Sequence, residues 1–189
     1  MTLEEQGALY LAALRRTRIA VPEGTLLYRA AEEVLEMAVA YQSDGMAFLR
    51  AGDHVNALAG FAYGLGWLDA GSRLGFFLPL AAHPPGEAGV CIPEALAARL
   101  DEKTHRYRRM LQSALPAIEV GPDEASPLFC GAEELRSTAR CWYTDGVNRL
   151  DAGDPAGALA RFSYGYAWLD AGIRAGLFRI TGERGLFTV

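Results

Sequence analysis

One segment of this chain occurs twice, first as Phe61-Ala-Tyr-Gly-Leu-Gly-Trp-Leu-Asp-Ala-Gly71 and again as Phe162-Ser-Tyr-Gly-Tyr-Ala-Trp-Leu-Asp-Ala-Gly172. The two copies are 101 residues apart, and the same offset relates Asp44-Gly-Met-Ala-Phe-Leu-Arg-Ala-Gly-Asp53 to Asp145-Gly-Val-Asn-Arg-Leu-Asp-Ala-Gly-Asp154. Between positions 44 and 77, twenty of the 34 residues are identical to those 101 positions later. A long match at one constant offset indicates a tandem duplication, so the sequence predicts two modules of the same structure.

Each copy carries the pattern of three helices. In the first copy we predict helices from Leu3 to about Arg18, from just after Thr25 to Ala51, and from Asp53 to about Phe77. Thr25 is the expected cap of the second helix, and the short connection at Gly52 makes helices 2 and 3 an antiparallel hairpin. No strand pattern of useful length is present.

The second copy repeats this plan, with its first helix predicted from Pro93 to about Leu115. The prediction is therefore an all-α protein of two tandem up-and-down three-helix modules, six helices in total, packed together with pseudo-twofold symmetry. The expected boundaries are 1–78 for the first repeat, 79–92 for a linker rich in proline and glycine, 93–179 for the second repeat and 180–189 for a tail.

Composition narrows the classes of function. The chain has 189 residues, a net charge of −5 and a pI of about 5.2, which argues against general binding to nucleic acid or to anionic membranes. The N-terminal residues show no signal-peptide pattern, and three cysteines without CxxC spacing favour buried, reduced thiols. We therefore expect a cytoplasmic protein with no membrane partner. The cysteines are Cys91, Cys130 and Cys141.

The third helix of the first copy has one face made almost entirely of glycine. On a helical wheel this face holds Gly60, Gly64, Trp67, Gly71 and Gly75. Glycines at four-residue spacing allow another backbone to come close. The expected neighbour is the third helix of the second copy or, failing that, a neighbouring helix of the same repeat. The alternative is a groove for a ligand or partner, lined by Tyr63, Trp67, Tyr164 and Trp168.

Two carboxylates lie one helical turn before an arginine, at matching places in the two copies. Asp69 precedes Arg73 by four residues, and Asp170 precedes Arg174 by four. This spacing predicts ion pairs within each helix, worth about 0.2–0.5 kcal/mol each. The alternative is an acid positioned for chemistry by a cation. The turn at Gly52 also places Glu33, and Glu134 in the second copy, near these arginines.

A basic cluster on the first helix of the second copy is the candidate for phosphate contact. It consists of Arg106, Arg108 and Arg109, with Tyr107 among them. The charge balance argues against nucleic acid as a partner, and we expect no measurable RNA binding at physiological salt. The segment from Glu102 to His105 matches half of a di-iron motif but lacks a second copy, so no metal and no cofactor are expected.

The motif Asp-Gly…Leu-x-Ala-Gly-Asp, followed by Ala-Leu…Phe-x-Tyr-Gly-x-x-Trp-Leu-Asp-Ala-Gly, resembles an archaeal family, domain of unknown function 357. The resemblance covers residues 28–77 and 129–178, and it implies three-helix bundles that usually occur as a single copy. Two copies in one chain then do internally what a homodimer of single copies would do. The resemblance implies no activity.

No catalytic constellation is present in the sequence. The favoured function is therefore a non-enzymatic helical module for protein–protein interaction or self-association. One alternative is a nucleic-acid-associated protein that uses the basic cluster. The other is a small-molecule binder with a pocket between the repeats.

Overall fold

The computed structural model describes residues 1–86 and 90–188. In these residues six helices form two groups of three, as the duplication predicts. The first group consists of α1 (Leu3–Arg16), α2 (Tyr28–Arg50) and α3 (His54–Arg73), and the second of α4 (Ala97–Ala114), α5 (Pro127–Asp151) and α6 (Pro155–Arg174). Short 3-10 turns flank α4 at Glu94–Leu96 and Leu115–Ala117, and a third covers Arg184–Leu186.

Local sequence signals explain most helix ends. Asp53 and Asp154 each accept a hydrogen bond from a backbone N–H in the first turn of the helix that follows, as N-caps do. Ser126 caps α5 in the same way, with Pro127 in the first turn. The predicted cap at Thr25 is wrong, because its hydroxyl donates to the carbonyl of Pro22 instead. Helix α2 consequently begins two residues later than α5 when the copies are aligned.

The third helices are shorter than predicted. Helix α3 ends at Arg73 rather than near Phe77, because Gly75 adopts a left-handed conformation with φ of +75° and closes the helix. The N–H of Phe76 then donates to the carbonyl of Gly71 at 2.9 Å. Beyond this helix end, Phe77 and Leu78 form a short strand, and Phe178–Ile180 form another one after α6.

Within the described residues, four short strands contradict the prediction of no strands. They form two antiparallel pairs, in which β1 (Arg18–Ile19) pairs with β2 (Phe77–Leu78) and β3 (Ile118–Val120) pairs with β4 (Phe178–Ile180). Each pair ties the segment after the first helix of a repeat to the segment after its third helix. Runs of two or three residues are too short for an alternating pattern to be detected in the sequence.

The two repeats pack against each other through α3 and α6. Both helices are buried almost throughout, which their lack of a polar face requires. The two helices approach closely at Gly66, where an added Cβ would lie 2.5 Å from the carbonyl oxygen of Tyr164 and 2.7 Å from Cβ of Ala167. Gly66 therefore lets the backbones of the two repeats meet.

The glycine face of α3 packs at Gly60 and Gly64 against the second of its two expected neighbours, the helices of its own repeat, and not against the third helix of the other repeat. A Cβ on Gly64 would lie 2.2 Å from the hydroxyl of Tyr10 on α1 and 2.8 Å from Cβ of Tyr41 on α2, so this face packs within its own repeat. The opposite side of α3, with Gly66 and Asp69, faces the second repeat. The helical wheel assigned residues to the two sides of α3 correctly. A wheel does not show which helix packs against each side.

The cysteines are exposed rather than buried, contrary to the prediction. Cys130 and Cys141 lie on α5, whose buried side is formed largely by small residues and Leu135. Cys91 lies in the predicted linker, whose residues 87–89 fall outside the described part of the chain, as does Val189 of the predicted tail. Within the described residues no helix is both long enough and apolar enough to span a membrane.

Candidate functional site

Two tyrosine–aspartate pairs join the repeats at their centre. The hydroxyl of Tyr164 donates to Oδ2 of Asp69 at 2.6 Å, and the hydroxyl of Tyr63 donates to Oδ2 of Asp170. Tyr63 corresponds to Tyr164, and Asp69 to Asp170, at the offset of 101. Each repeat thus donates one hydrogen bond from a tyrosine hydroxyl to the other repeat and accepts one from it. Contacts that exchange in this way are what a twofold relation between the halves produces, although that relation itself stays a prediction.

Both aspartates also bind a segment that follows the third helix of their own repeat. Asp69 accepts from the backbone N–H of His83 at 2.5 Å, and its Oδ1 lies 2.8 Å from Nδ1 of that histidine. Asp170 accepts from the backbone N–H of Thr188 at 3.2 Å. These bonds supply the partners that a buried carboxylate requires. Both aspartates are nearly inaccessible, and their hydrogen bonds connect the two repeats with the segments that follow α3 and α6.

The predicted ion pairs within each helix are wrong. Arg73 binds Glu134 at 2.5 Å and Arg174 binds Glu33 at 3.1 Å, so each arginine reaches into the other repeat. Asp69 and Asp170 are buried and already bonded, whereas the two glutamates are accessible at the ends of the arginine side chains. These half-exposed pairs contribute little stability, about 0–1 kcal/mol each, but they repeat the exchange seen at the tyrosines.

The aromatic residues proposed to line an open groove are buried. Trp67 is fully enclosed, Trp168 is 7% exposed, and each stacks edge-on or tilted beside the tyrosine four residues before it. Tyr63 and Tyr164 are also buried. Tyr63 and Tyr164 take part in the contact between the repeats. Trp168 also lines a cavity of about 400 Å³ together with Asp69 and Arg73, so the groove hypothesis stays a prediction.

A cavity of about 300 Å³ nevertheless lies at the edge of this contact and reaches Tyr63. Its walls come from both repeats: α2 and α3 on one side, α4, α6 and the C-terminal segment on the other. Most of its lining is aromatic or polar. The lining residues are Tyr41, Asp44, Phe48, Asn56, Ala59, Gly60, Tyr63, Lys103, Tyr107, Met110, Tyr166, Leu186 and Thr188.

Lys103 is a buried cation in the wall of this cavity. Only 8% of the residue is exposed, and its Nζ donates to Oδ1 of Asn56 and lies 5.0 Å from the ring centre of Tyr107. Burial lowers the pKa of this amine, and the nearby Arg106 adds to the effect. The sequence gave no sign of Lys103, because a single lysine on a charged helix is ordinarily exposed.

The two repeats differ sharply beside this cavity. The position of Gly60 in the first repeat is occupied by Arg161 in the second. The Arg161 guanidinium is 3% exposed, pairs with Asp145, and donates to the carbonyls of Gly157 at 3.2 Å and Gly86 at 3.4 Å. At the offset of 101, a buried arginine in the second repeat therefore corresponds to a glycine of the cavity wall in the first.

A comparison with known protein families shows to which family the chain belongs. The family described as protein of unknown function, DUF357, matches residues 9–77 and 106–178. The chain belongs to the DUF357 family. No curated protein and no solved structure matches the chain. The description carries no activity, so membership confirms the resemblance and the duplication but assigns no function.

The two DUF357 segments contain the central contact but only part of the cavity. Tyr63, Asp69, Tyr164 and Asp170 all lie within the matched residues, whereas Lys103 lies outside them. His83 and Thr188, which bind the two aspartates, are also outside both segments. In this DUF357 chain the tyrosine–aspartate pairs that join the repeats lie inside the matched segments, whereas part of the cavity wall lies outside them.

The basic cluster of this DUF357 protein lies on the outer side of α4. Arg106 and Arg109 are exposed, whereas Arg108 is half-buried, so the three side chains do not share one open face. Arg106 lies 3.8 Å from the carboxylate of Glu102. The ring of Tyr107 lines the cavity instead of standing free to stack on a base. The absence of RNA binding stays a prediction.

Metal-binding side chains do not gather in the described part of the DUF357 chain. No group of three or more histidine, cysteine, aspartate or glutamate side chains is placed to hold an ion among residues 1–86 and 90–188. His105 lies 3.5 Å from Asp101, one turn earlier on α4, and so belongs to a local pair on the surface.

The buried Asp170 makes the stability of this protein depend on pH. Burial raises the pKa of Asp170 to about 6, although the bonds from Tyr63 and Thr188 oppose the shift. A folded-state pKa above the unfolded value near 4 favours the protonated form in the folded state. This contribution is complete below about pH 4 and is lost as the pH rises through about 6, with a total near 2–3 kcal/mol.

We therefore expect Asp170→Asn to gain stability relative to the wild type as the pH rises from 4 to 7, because asparagine carries no charge to bury. Urea denaturation at several pH values measures the difference. Asp151→Asn, which removes an exposed carboxylate at the end of α5, is the control and should leave the pH profile unchanged. Identical profiles for Asp170→Asn and the wild type would contradict the prediction.

Proposed function

We propose that this protein is a non-enzymatic binding module that holds a small molecule in the cavity between its two repeats. The observation that carries the proposal is the lining, in which aromatic rings surround a few polar groups contributed by both halves. A concave site of this composition is typical of small-ligand pockets, and its volume of about 300 Å³ suits a metabolite. The α3–α6 contact holds its two walls in fixed positions.

The chemistry of the lining favours binding over catalysis. Burial raises the pKa of the hydroxyls of Tyr41, Tyr63, Tyr107 and Tyr166, so these groups are neutral hydrogen-bonding groups at physiological pH. The described lining contains no histidine or cysteine, and its one amine, Nζ of Lys103, is already bound to Asn56. This lining favours the recognition of a ligand over its transformation.

A thermal-shift screen tests this proposal. The panel contains organic cations, organic anions and neutral aromatic compounds, each tested against the wild type and Gly60→Met. A Cβ at Gly60 would lie 3.6 Å from Cα of Gly45, an ordinary contact, so the variant should fold while its side chain enters the cavity. A ligand at 100 times its Kd adds about 2.7 kcal/mol of stability.

We expect one class to raise the Tm of the wild type by several degrees and to lose this effect in Gly60→Met. Gly131→Met is the matched control, because Gly131 on α5 has open space around it and lies away from the cavity. The control should keep the shift. The proposal fails if no class raises the Tm, or if the shift persists in Gly60→Met.

Self-association is the second candidate, and one observation favours it. A mostly apolar groove of about 280 Å³ lies between the repeats and is lined by equivalent residues from both, including Leu27 and Leu128. Both leucines are more than half exposed. A second copy of the chain fits this groove, since a surface with matching halves can meet itself in a closed pair.

Sedimentation velocity across a concentration series tests this candidate. If the protein self-associates through this groove, the wild type is a dimer and the double variant Leu27→Glu/Leu128→Glu is a monomer. Carboxylates placed in an apolar contact would have to lose their hydration. A wild type that stays monomeric at its highest soluble concentration would remove self-association from consideration.

A further inference from the structure

We propose that the ligand of the cavity is a small organic cation with a guanidinium or amine group, held by Asp44. This inference rests on the proposed function, because it names the class of molecule for the same site. Its basis is the duplication itself. The second repeat shows which chemical group this local structure accepts, and the first repeat lacks that group.

The second repeat holds its own cation at the equivalent place. Asp145 lies on α5 and Arg161 on α6, and the two are in contact as an ion pair. The guanidinium is almost fully buried and also reaches two backbone carbonyls. This half of the fold therefore provides a carboxylate and nearby carbonyls arranged around one planar cation, a geometry that suits guanidinium.

The first repeat keeps the carboxylate and loses the cation. Asp44 corresponds to Asp145, and Gly60 corresponds to Arg161. Both Asp44 and Gly60 line the cavity. Within residues 1–86 and 90–188, the carboxylate of Asp44 makes no ion pair and no side-chain hydrogen bond. The carboxylate of Asp44 thus lines a cavity in which Gly60 stands at the position of the buried Arg161, without its cationic side chain.

The walls of the cavity suit a cation. Four tyrosines line it, and the faces of aromatic rings attract ammonium and guanidinium groups. The ring of Tyr107 already has Lys103 over it, which leaves Tyr41, Tyr63 and Tyr166 for a ligand. None of these rings carries a charge at neutral pH, because burial raises the pKa of every one of their hydroxyls. The four residues are Tyr41, Tyr63, Tyr107 and Tyr166.

Lys103 does not take the place of the missing arginine. Its Nζ is bound to Asn56, which lies one turn before Gly60 on α3, and the ring of Tyr107 lies 5.0 Å away. The acidic groups that act on it most strongly are Asp53 and Glu102, not Asp44. Lys103 therefore contacts Asn56 and Tyr107 and makes no ion pair with Asp44 among the described residues.

A tethered cation gives the first test. Gly60→Arg places in the first repeat the side chain that the second repeat already carries, and Gly60→Met places a neutral chain of similar length there. We expect Gly60→Arg to have the higher urea midpoint, and Asp44→Asn to remove the difference between the two. An equal or lower midpoint for Gly60→Arg would overturn the inference, whatever the identity of any ligand.

Free probes give the second test. We expect agmatine, a guanidinium-bearing amine, to bind the wild type in calorimetry, with at least a tenfold loss of affinity in Asp44→Asn. Butylurea, which is uncharged, and glutarate, which is anionic, should not bind. Asp145→Asn is the matched control in the other repeat and should keep the affinity for agmatine.

The outcomes separate this inference from the function on which it rests. If glutarate or butylurea binds in place of agmatine and Gly60→Met abolishes binding, the cavity is a ligand site but the cation assignment is wrong. If agmatine binds and Asp44→Asn has no effect, the assigned contact is wrong. If no compound of any class binds, the proposed function and this inference fail together.

Discussion

Gly66→Ala is expected to lower the free energy of unfolding by roughly 1–3 kcal/mol, the usual cost of overpacking a core. The added Cβ would lie 2.5 Å from the carbonyl oxygen of Tyr164, which belongs to the backbone of α6. A backbone atom of a long buried helix cannot move aside alone, so α3 and α6 must separate. That separation also strains the hydrogen bonds between the repeats.

Gly131→Ala is the matched control for this substitution. Gly131 also lies in a helix, but nothing is within 4 Å of the position of its added Cβ. Alanine should stabilise that site by roughly 0.5–1 kcal/mol, because it loses less backbone entropy than glycine when a helix forms. Urea denaturation of both variants gives the comparison. If Gly66→Ala is as stable as Gly131→Ala, the repeats are not in close contact at Gly66.

Tyr63→Phe and Tyr164→Phe are each expected to destabilise the protein by about 1–3 kcal/mol. Each substitution removes one hydroxyl that donates to a carboxylate buried between the repeats, and a buried charged acceptor that loses its partner keeps its full cost of desolvation. The ring itself remains, so packing is almost unchanged. The loss therefore reports the hydrogen bond between the repeats and not a cavity.

Tyr143→Phe is the control for these variants. Tyr143 is half-buried on α5 and its ring lies 5.9 Å from that of Phe162, but its hydroxyl makes no hydrogen bond with any described residue. Denaturation at pH 7 should show no significant loss for this variant. Equal midpoints for Tyr63→Phe, Tyr164→Phe and Tyr143→Phe would show that the exchanged pairs do not join the repeats.

The sequence predicts the helices well because their signals are local. Asp53 and Asp154 cap the third helices as their position suggests, and the constant offset transfers each assignment from one copy to the other. The error at the end of α3 is also local. Gly75 was assigned to a helix face, although a glycine two residues past the last helical residue commonly ends a helix.

The partners across the repeats could not be predicted from the same signals. Asp69 and Arg73 have ideal spacing for a pair on one helix, and nothing in one sequence shows that Tyr164 and Glu134 compete for them. Burial determines the partners, because the enclosed Asp69 binds Tyr164 inside the contact while the exposed Arg73 binds Glu134 at the surface. The difference between Gly60 and Arg161 is visible in the sequence, but its meaning depends on the cavity beside it.

The claim that a ligand binds beside Gly60 is tested most directly by mapping the binding of agmatine with NMR. Backbone amide shifts are recorded during a titration of the labelled wild type. We predict that the largest changes lie at Asp44, Gly60 and Lys103, with no comparable change at Asp145 and Arg161 in the second repeat. Changes centred on Leu27 and Leu128, or no saturable change anywhere, would contradict the account.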